Sequence, residues 1–201
     1  MAVIHLSLTD EQRALRDGVA DICKRYPGEY WRELDAKREY PEAFVAELTK
    51  AGYLGALIPE EYGGAGLGIA EGALILETIH ASGGNAAACH AQMYIMGTLL
   101  KHGSEEQKRA YLPKIATGEL RLQAFGVTEP NSGSDTTKLQ TTAVRKGDRY
   151  VVNGQKMFIS RAQQSDLMLL LARTTAVDQV KRRTDGLSVF LVDIQIGRAH
   201  V

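Results

Sequence analysis

Thr141-Thr142-Ala143-Val144-Arg145-Lys146-Gly147-Asp148-Arg149-Tyr150-Val151-Val152-Asn153-Gly154 carries the clearest structural signal in the chain. Thr141 to Arg145 and Arg149 to Asn153 are strand-forming runs flanking Lys146-Gly147-Asp148, the pattern of a β-hairpin. Asn153-Gly154 then turns the chain into Gln155 to Ser160, which the alternation predicts as a further strand. Downstream, Leu167 to Arg173 is continuously apolar and Leu187 to Val192 reads as another strand. The intervening Thr174 to Gly186 is polar and charged. Short strands at this spacing predict an antiparallel sheet or barrel.

Upstream of about Leu120 the period is helical instead. Thr9 with Gln12 makes a capping box, and Leu15, Val19, Ile22 and Tyr26 recur as one apolar stripe. Pro41 opens a helix carrying Phe44, Leu48 and Ala51, with Gly52 ending it. Ile69 to Ala81 and Asn85 to Leu100 are apolar almost all round, as in helices interior to a bundle or an oligomer. Ser104-Glu105-Glu106-Gln107 caps a short helix predicted to end near Pro113. The fold class is therefore α+β: an all-helical domain over residues 1–120, then a β domain over 121–195. Between the helices, Gly63-Gly64-Ala65-Gly66-Leu67-Gly68 lacks the G-x-G-x-x-G spacing and follows no strand, so it reads as a flexible connection.

Composition narrows the function classes. The 201 residues are 44% hydrophobic and 24% charged, with 24 basic against 24 acidic side chains. A neutral balance provides no field for nucleic acid, so no nucleic-acid partner is expected. No apolar run reaches the roughly 20 residues of a membrane span. With no secretory signal at the start, a cytoplasmic location is the expectation, or the mitochondrial matrix in a eukaryote. Cys23 and Cys89 are far apart in sequence, and no His-x-x-x-His pair occurs, so no metal site is expected.

Two segments carry chemistry. Phe125-Gly126-Val127-Thr128-Glu129-Pro130-Asn131-Ser132-Gly133-Ser134-Asp135 leaves a strand for a loop able to present amides and hydroxyls to an anionic or strongly accepting ligand. Its residues alone fit a surface turn equally well. In a strand, Phe158 and Ser160 share one face and Ile159 takes the other. A planar ring could pack on Phe158 and accept from Ser160, although taken alone the pair reads as a core Phe beside an incidental Ser.

Together these segments resemble the acyl-CoA dehydrogenase family. Val127-Thr128-Glu129-Pro130-Asn131-Ser132-Gly133-Ser134-Asp135 is similar to its TEPxxGSD loop. Asn153-Gly154-Gln155-Lys156-Met157-Phe158-Ile159-Ser160 is similar to its NGxKxWIT strand. Pro59-Glu60-Glu61-Tyr62-Gly63-Gly64, Gly103-Ser104-Glu105-Glu106-Gln107-Lys108 and Tyr111-Leu112-Pro113 follow in family order. The resemblance implies a helical domain, a β-barrel-like middle domain and a C-terminal helical bundle, before which this chain is expected to stop. It implies FAD as cofactor, an acyl-CoA substrate, a homodimer or homotetramer, and an electron-transfer flavoprotein as partner. Carried over by motif, Phe125, Val127 and Thr128 line the flavin, with Thr128 bonded to its pyrimidine end. Phe158 walls the ring, Ile159 lies beside it and Ser160 donates to N5. Ser134 serves a phosphate of the flavin or of CoA, and Tyr94 lies near the acyl end, although Met93, Tyr94 and Met96 also read as core. Phe158 stands where the family more often has Trp, and Ser160 where it has Thr.

The implied reaction is α,β-dehydrogenation of an acyl thioester. No residue matches the segment that bears the family's catalytic glutamate, so no catalytic residue is assigned and a fragment of this span is expected to be inactive and to bind FAD weakly. Alternative readings are a flavin oxidase or monooxygenase of the same fold, or a non-catalytic flavin- or acyl-CoA-binding module. Lys181-Arg182-Arg183 reads as a solvated hairpin tip or a contact for CoA phosphates. Ile196-Gly197-Arg198-Ala199-His200-Val201 reads as a non-native tail, being what an in-frame sequencing adapter encodes.

Overall fold

The structure is a computed structural model describing residues 7–194. The proposed tail at 196–201 lies outside them. Backbone contacts divide the chain into a unit ending at Leu120 and a unit beginning at Arg121. Helices and a mixed sheet fill the two in that order, as the change of period predicts.

In the first unit, α1 (Asp10–Cys23) begins at the Thr9–Gln12 box: Gln12 N–H donates to Thr9 Oγ1 (3.2 Å) and Thr9 N–H to Gln12 Oε1 (3.1 Å). Its stripe buries Val19, Ile22 and Cys23. A short helix that periodicity does not announce, α2 (Gly28–Lys37), follows Pro27 and buries no residue fully, so it has no apolar stripe to read. Trp31 on it packs edge-on against Phe44 of α3 (Glu42–Lys50), ring centroids 4.9 Å apart, while its indole N–H donates to the Tyr26 carbonyl (3.0 Å). Phe44, Leu48, Ile75, Ile79 and Cys89 are the centre of this unit's core. Cys23 and Cys89 are both buried, and neither is in a disulfide.

The glycine segment before α4 (Ile69–Ala81) is pinned rather than flexible. Gly66 N–H donates to Ile58 O and Leu67 N–H to Ala56 O, both at 2.8 Å. A Cβ at Gly64 would lie 2.1 Å from the Ile58 carbonyl oxygen, so only glycine lets the two strands of backbone close. α5 (Ala87–His102) buries eight side chains, among them Met93, Ile95 and Met96. α6 (Glu105–Thr117) runs on through Pro113 and ends at Gly118 (φ 77°), a correction to the expected stop. The proline removes one intrahelical bond, but Ile115 and Ala116 are buried beyond it and hold the extra turn. No helix of the described residues is long and apolar enough to cross a membrane.

The second unit is a five-stranded sheet: β1 (Leu122–Gly126), β2 (Thr142–Lys146), β3 (Arg149–Asn153), β4 (Leu167–Arg173) and β5 (Leu187–Asp193). The order is β1-β4-β2-β3, with β5 also on β4. The antiparallel expectation holds for β2–β3 and β4–β5, while β1–β4 and β2–β4 are parallel, so the sheet is mixed. The hairpin pairs Val144 with Val151 and Arg145 with Tyr150, turning at Gly147 (φ 65°). Residues 154–160 form no strand. Phe158 (φ 58°) and Arg161 (φ 62°) sit in the left-handed region, which breaks the alternation on which the strand reading rests.

Two substitutions test this packing. Phe44→Ala should destabilise the helical unit by about 3–5 kcal/mol, because it empties a fully buried aromatic site. Denaturant unfolding followed by the fluorescence of Trp31, the single tryptophan, reads it directly. Gly154→Ala should cost the β unit about 1–3 kcal/mol, because the new Cβ would lie 2.6 Å from the Thr141 Cα and 2.2 Å from its Oγ1. A Gly154→Ala protein with unchanged unfolding midpoint would show that the Asn153-Gly154 turn is not this tightly held.

Candidate cofactor site

The two segments singled out in the sequence meet where β1 leaves the sheet. At Gly126, the last residue of β1, an added Cβ would lie 3.1 Å from both Leu170 Cδ1 and Met168 Sδ, so the strand passes close over β4. The next two carbonyls are then caught from the other segment. Val127 O accepts from the Lys156 ammonium at 3.0 Å, and Thr128 O accepts from the Met157 amide at 3.0 Å. Glu129 closes on Ser132 through reciprocal backbone bonds of 2.8 and 3.1 Å, turning the chain at Pro130-Asn131.

The Glu129 side chain, only 5% exposed, is the hub of this arrangement. Its Oε2 accepts from Gln140 N–H (2.6 Å), and its Oε1 from Thr141 N–H (2.9 Å) and Lys156 Nζ (2.8 Å). Burial opposes ionisation and is the largest single effect. The Gln140 amide, the Lys156 ammonium and the Thr141 amide together outweigh it and hold the pKa at about 2. A carboxylate so saturated is permanently ionised near neutrality and has no proton-accepting role to offer. Lys156, with 9% of its side chain exposed, ties three things at once: the Val127 carbonyl, the Glu129 carboxylate and its own segment. Sequence reading missed this pair, because the partners lie 27 positions apart and nothing local marks them.

Beyond Glu129, Ser132 Oγ donates to Asp135 O (2.8 Å), and the Asp135 carboxylate accepts from the Thr137 hydroxyl (2.5 Å) and amide (3.2 Å). These bonds, the Thr137 hydroxyl above all, hold the Asp135 carboxyl below the usual range. Ser134 is left exposed between them.

Phe158 is 83% exposed, which rules out the core-phenylalanine reading. A bulky side chain held in the left-handed region and turned to solvent is strained and uncovered together, a combination that occurs mainly where a ligand is met. An open recess of about 510 Å³ lies here, lined by Lys156, Met157, Phe158, Ile159, Gln164 and Met168 among others. Ser160 is exposed two residues on. Phe125, Val127 and Thr128 are half-buried at the β1 end, bonded to the recess segment through Val127 and Thr128. Thus Phe125, Val127, Thr128, Phe158 and Ile159 belong to one connected region, while Ser134 projects from the following loop. Tyr94 lies on α5 in the helical unit, 47% exposed, its ring 5.0 Å from that of His90, and burial pushes its phenol up.

The Glu129 lock has a pH signature. Its folded-state pKa of about 2 lies below the ordinary 4.5, so its stabilisation is fully present above that value. It is lost as the pH falls from about 5 to 2, to the extent of about 3 kcal/mol. Glu129→Gln should destabilise the β unit by about 3 kcal/mol at neutral pH, since it leaves a buried ammonium without its anion. It should also flatten the acid limb of the stability curve. Denaturant midpoints measured from pH 2 to pH 7 for both proteins decide the matter, and parallel curves would exclude Glu129 as the titrating group.

Residues 9–119 match the family described as Acyl-CoA dehydrogenase, N-terminal domain, and residues 124–199 match Acyl-CoA dehydrogenase, middle domain. Acyl-CoA dehydrogenase FadE12 of Mycobacterium tuberculosis is 38% identical over 176 residues, covering 87% of this chain and 45% of that protein. The mitochondrial isovaleryl-CoA dehydrogenase of Pongo abelii is 35% identical over 191 residues, covering 92% and 44%. The crystal structure of an acyl-CoA dehydrogenase from Geobacillus kaustophilus superimposes with a TM-score of 0.85 at 30% identity, covering 94% of this chain and 49% of that one. The chain spans less than half the length of these relatives. With both domains matched in order, the chain belongs to the acyl-CoA dehydrogenase family.

Proposed function

We propose that the protein serves in the FAD-dependent α,β-dehydrogenation of an acyl-CoA thioester, and that the half-buried end of β1 and the 156–160 segment form part of the flavin site. The supporting observation is Phe158: an aromatic plate, 83% exposed and held at φ 58°, beside an open recess and fixed from behind by the Lys156–Glu129 pair. FAD, when bound, supplies the hydride acceptor. The residues present suit such a group. Phe158 offers a flat apolar wall to a conjugated ring, and the exposed Ser160 hydroxyl offers a donor to its N5 edge. Phe125, Val127 and Ile159 complete an apolar border, with Thr128 bonded at the pyrimidine end. Ser134 serves a phosphate of the cofactor or of CoA, and Tyr94 meets the acyl group.

We assign no general base in this chain. Glu129, the acid in the flavin motif, is held ionised by three donors and points into the loop that it braces. An electron-transfer flavoprotein as acceptor, homo-oligomeric assembly and a cytoplasmic or mitochondrial-matrix location complete the proposal.

The complete gene product, titrated anaerobically with acyl-CoAs of increasing chain length while its visible spectrum is recorded, tests this reading. A yellow protein bleached by one chain length supports it and names the substrate class. Phe158→Ala should weaken FAD binding by about tenfold, the equivalent of an aromatic contact of about 1.4 kcal/mol. Ser160→Ala should slow flavin reduction by a similar factor. A protein that takes up no FAD sinks the proposal, uptake without bleaching points to a binding module, and steady oxygen consumption with acyl-CoA points to an oxidase on the same fold.

A further inference from the structure

Arg173, at the end of β4, is a buried cation whose partners are all neutral. It is 6% exposed. Its Nη2 donates to the carbonyls of Thr137 (3.0 Å) and Arg183 (3.1 Å). Its Nη1 donates to the carbonyl of Asp185 (3.1 Å) and, at the outer limit, of Thr175 (3.5 Å). Nε has no partner, and among the described residues no carboxylate pairs with the guanidinium. Burying a guanidinium against carbonyl dipoles alone is an expensive way to close a loop, since the charge is desolvated without an anion.

The carbonyls it gathers come from two loops that the sequence keeps 46 positions apart, as Thr137 and Arg183 show. One is the turn at Thr136–Lys138 that directly follows Ser134-Asp135. The other is the excursion between β4 and β5, whose base is closed by Thr174 and Thr175 amides donating to Gly186 O (2.8 and 3.2 Å). Because a single nitrogen bonds both Thr137 O and Arg183 O, the two loops are held side by side. From Arg173 to Asp185 the chain carries four cations, Arg173, Lys181, Arg182 and Arg183, against Asp178 and Asp185. Asp185 is engaged by Arg182 at 3.0 Å, and Lys181 and Arg183 are exposed. The excursion thus presents exposed Lys181 and Arg183 against exposed Asp178, and Arg173 ties it to the turn that follows the exposed Ser134 and the Lys138-paired Asp135.

We propose that Arg173 is a positioning residue that locks these two loops into one recognition surface for the phosphate-bearing part of the thioester carrier. This rests on the proposed acyl-CoA reading. The planar fork is what the geometry demands: a lysine supplies one donor centre and cannot reach Thr137 on one side and Asp185 on the other.

The test compares an acyl-CoA with the acyl-pantetheine of the same acyl group, which keeps the thioester and lacks the nucleotide and its phosphates, using the full-length protein. Arg173→Lys should raise KM for the acyl-CoA about tenfold and leave kcat, and both constants for the acyl-pantetheine, within about twofold. Should Arg173→Lys not fold, the surface variant Lys181→Gln/Arg183→Gln carries the same expectation, with a loss of the salt dependence of the acyl-CoA KM. Equal losses on both thioesters would make the role general to folding and overturn the proposal, as would no change on either. An unmodified protein that turns over neither thioester sinks the acyl-CoA reading and this inference with it.

Discussion

A carboxylate and an ammonium, both nearly sealed from solvent, hold the β unit's chemistry in place. Glu129 and Lys156 meet at 2.8 Å, and each has further partners: two backbone amides donate to the carboxylate, and the Val127 carbonyl takes a second ammonium proton. These added partners make burial of the pair tolerable, since desolvation alone would favour neutral side chains. The geometric consequence matters more than the energy. The loop after β1 and the segment after β3 are irregular backbone, and irregular backbone holds a position only when its polar groups are met elsewhere. Here each meets them on the other.

The local conformation of Phe158 follows from that constraint. Lys156 and Met157 are both anchored, through Nζ and through the amide respectively, so the chain must leave the anchor within one residue. It does so through a left-handed phenylalanine, at a cost of about 1 kcal/mol that the anchors upstream offset. The side chain thereby leaves the sheet's own core and turns outward. A regular strand over 154–160 would have placed the same ring on the sheet face.

Arg173 does for the far end of β4 what Lys156 does beside β1, with a different chemistry. Lys156 is a point charge satisfied by an opposite charge, whereas Arg173 is a planar fork satisfied by carbonyls. Charge neutrality at the first suits the proposed contact with an uncharged ring. A retained positive charge at the second suits the proposed contact with phosphates. The helical unit shows the same economy in apolar terms: Phe44 is buried between Tyr26 and Trp31, and α2, which has no buried stripe of its own, is held by that contact.

Patterns of short range were legible without coordinates. The Thr9–Gln12 and Ser104–Gln107 boxes, the apolar helices expected at 69–81 and 85–100 and found at 69–81 and 87–102, the Lys146-Gly147-Asp148 hairpin and the strands at 167 and 187 each follow from residues within a few positions of one another. Order along the chain, helices then sheet, follows from the same periodicities, and the motifs around Thr128 and Phe158 mark two segments that the fold bonds to each other. What periodicity cannot carry is any feature whose partner is distant. Parallel pairing of β1 with β4, survival of α6 past Pro113, the outward turn of Phe158, the Glu129–Lys156 lock and the Arg173 clamp all depend on groups tens of residues away or on burial of a neighbouring face. The sequence by itself determined which elements form and which residue types stand in the two motifs, because those choices are set by local sterics, capping and hydrophobic period. Tertiary structure alone decided which polar groups meet, because a buried charge or an orphan carbonyl takes whatever partner the packed chain brings within about 3 Å, wherever that partner lies in sequence.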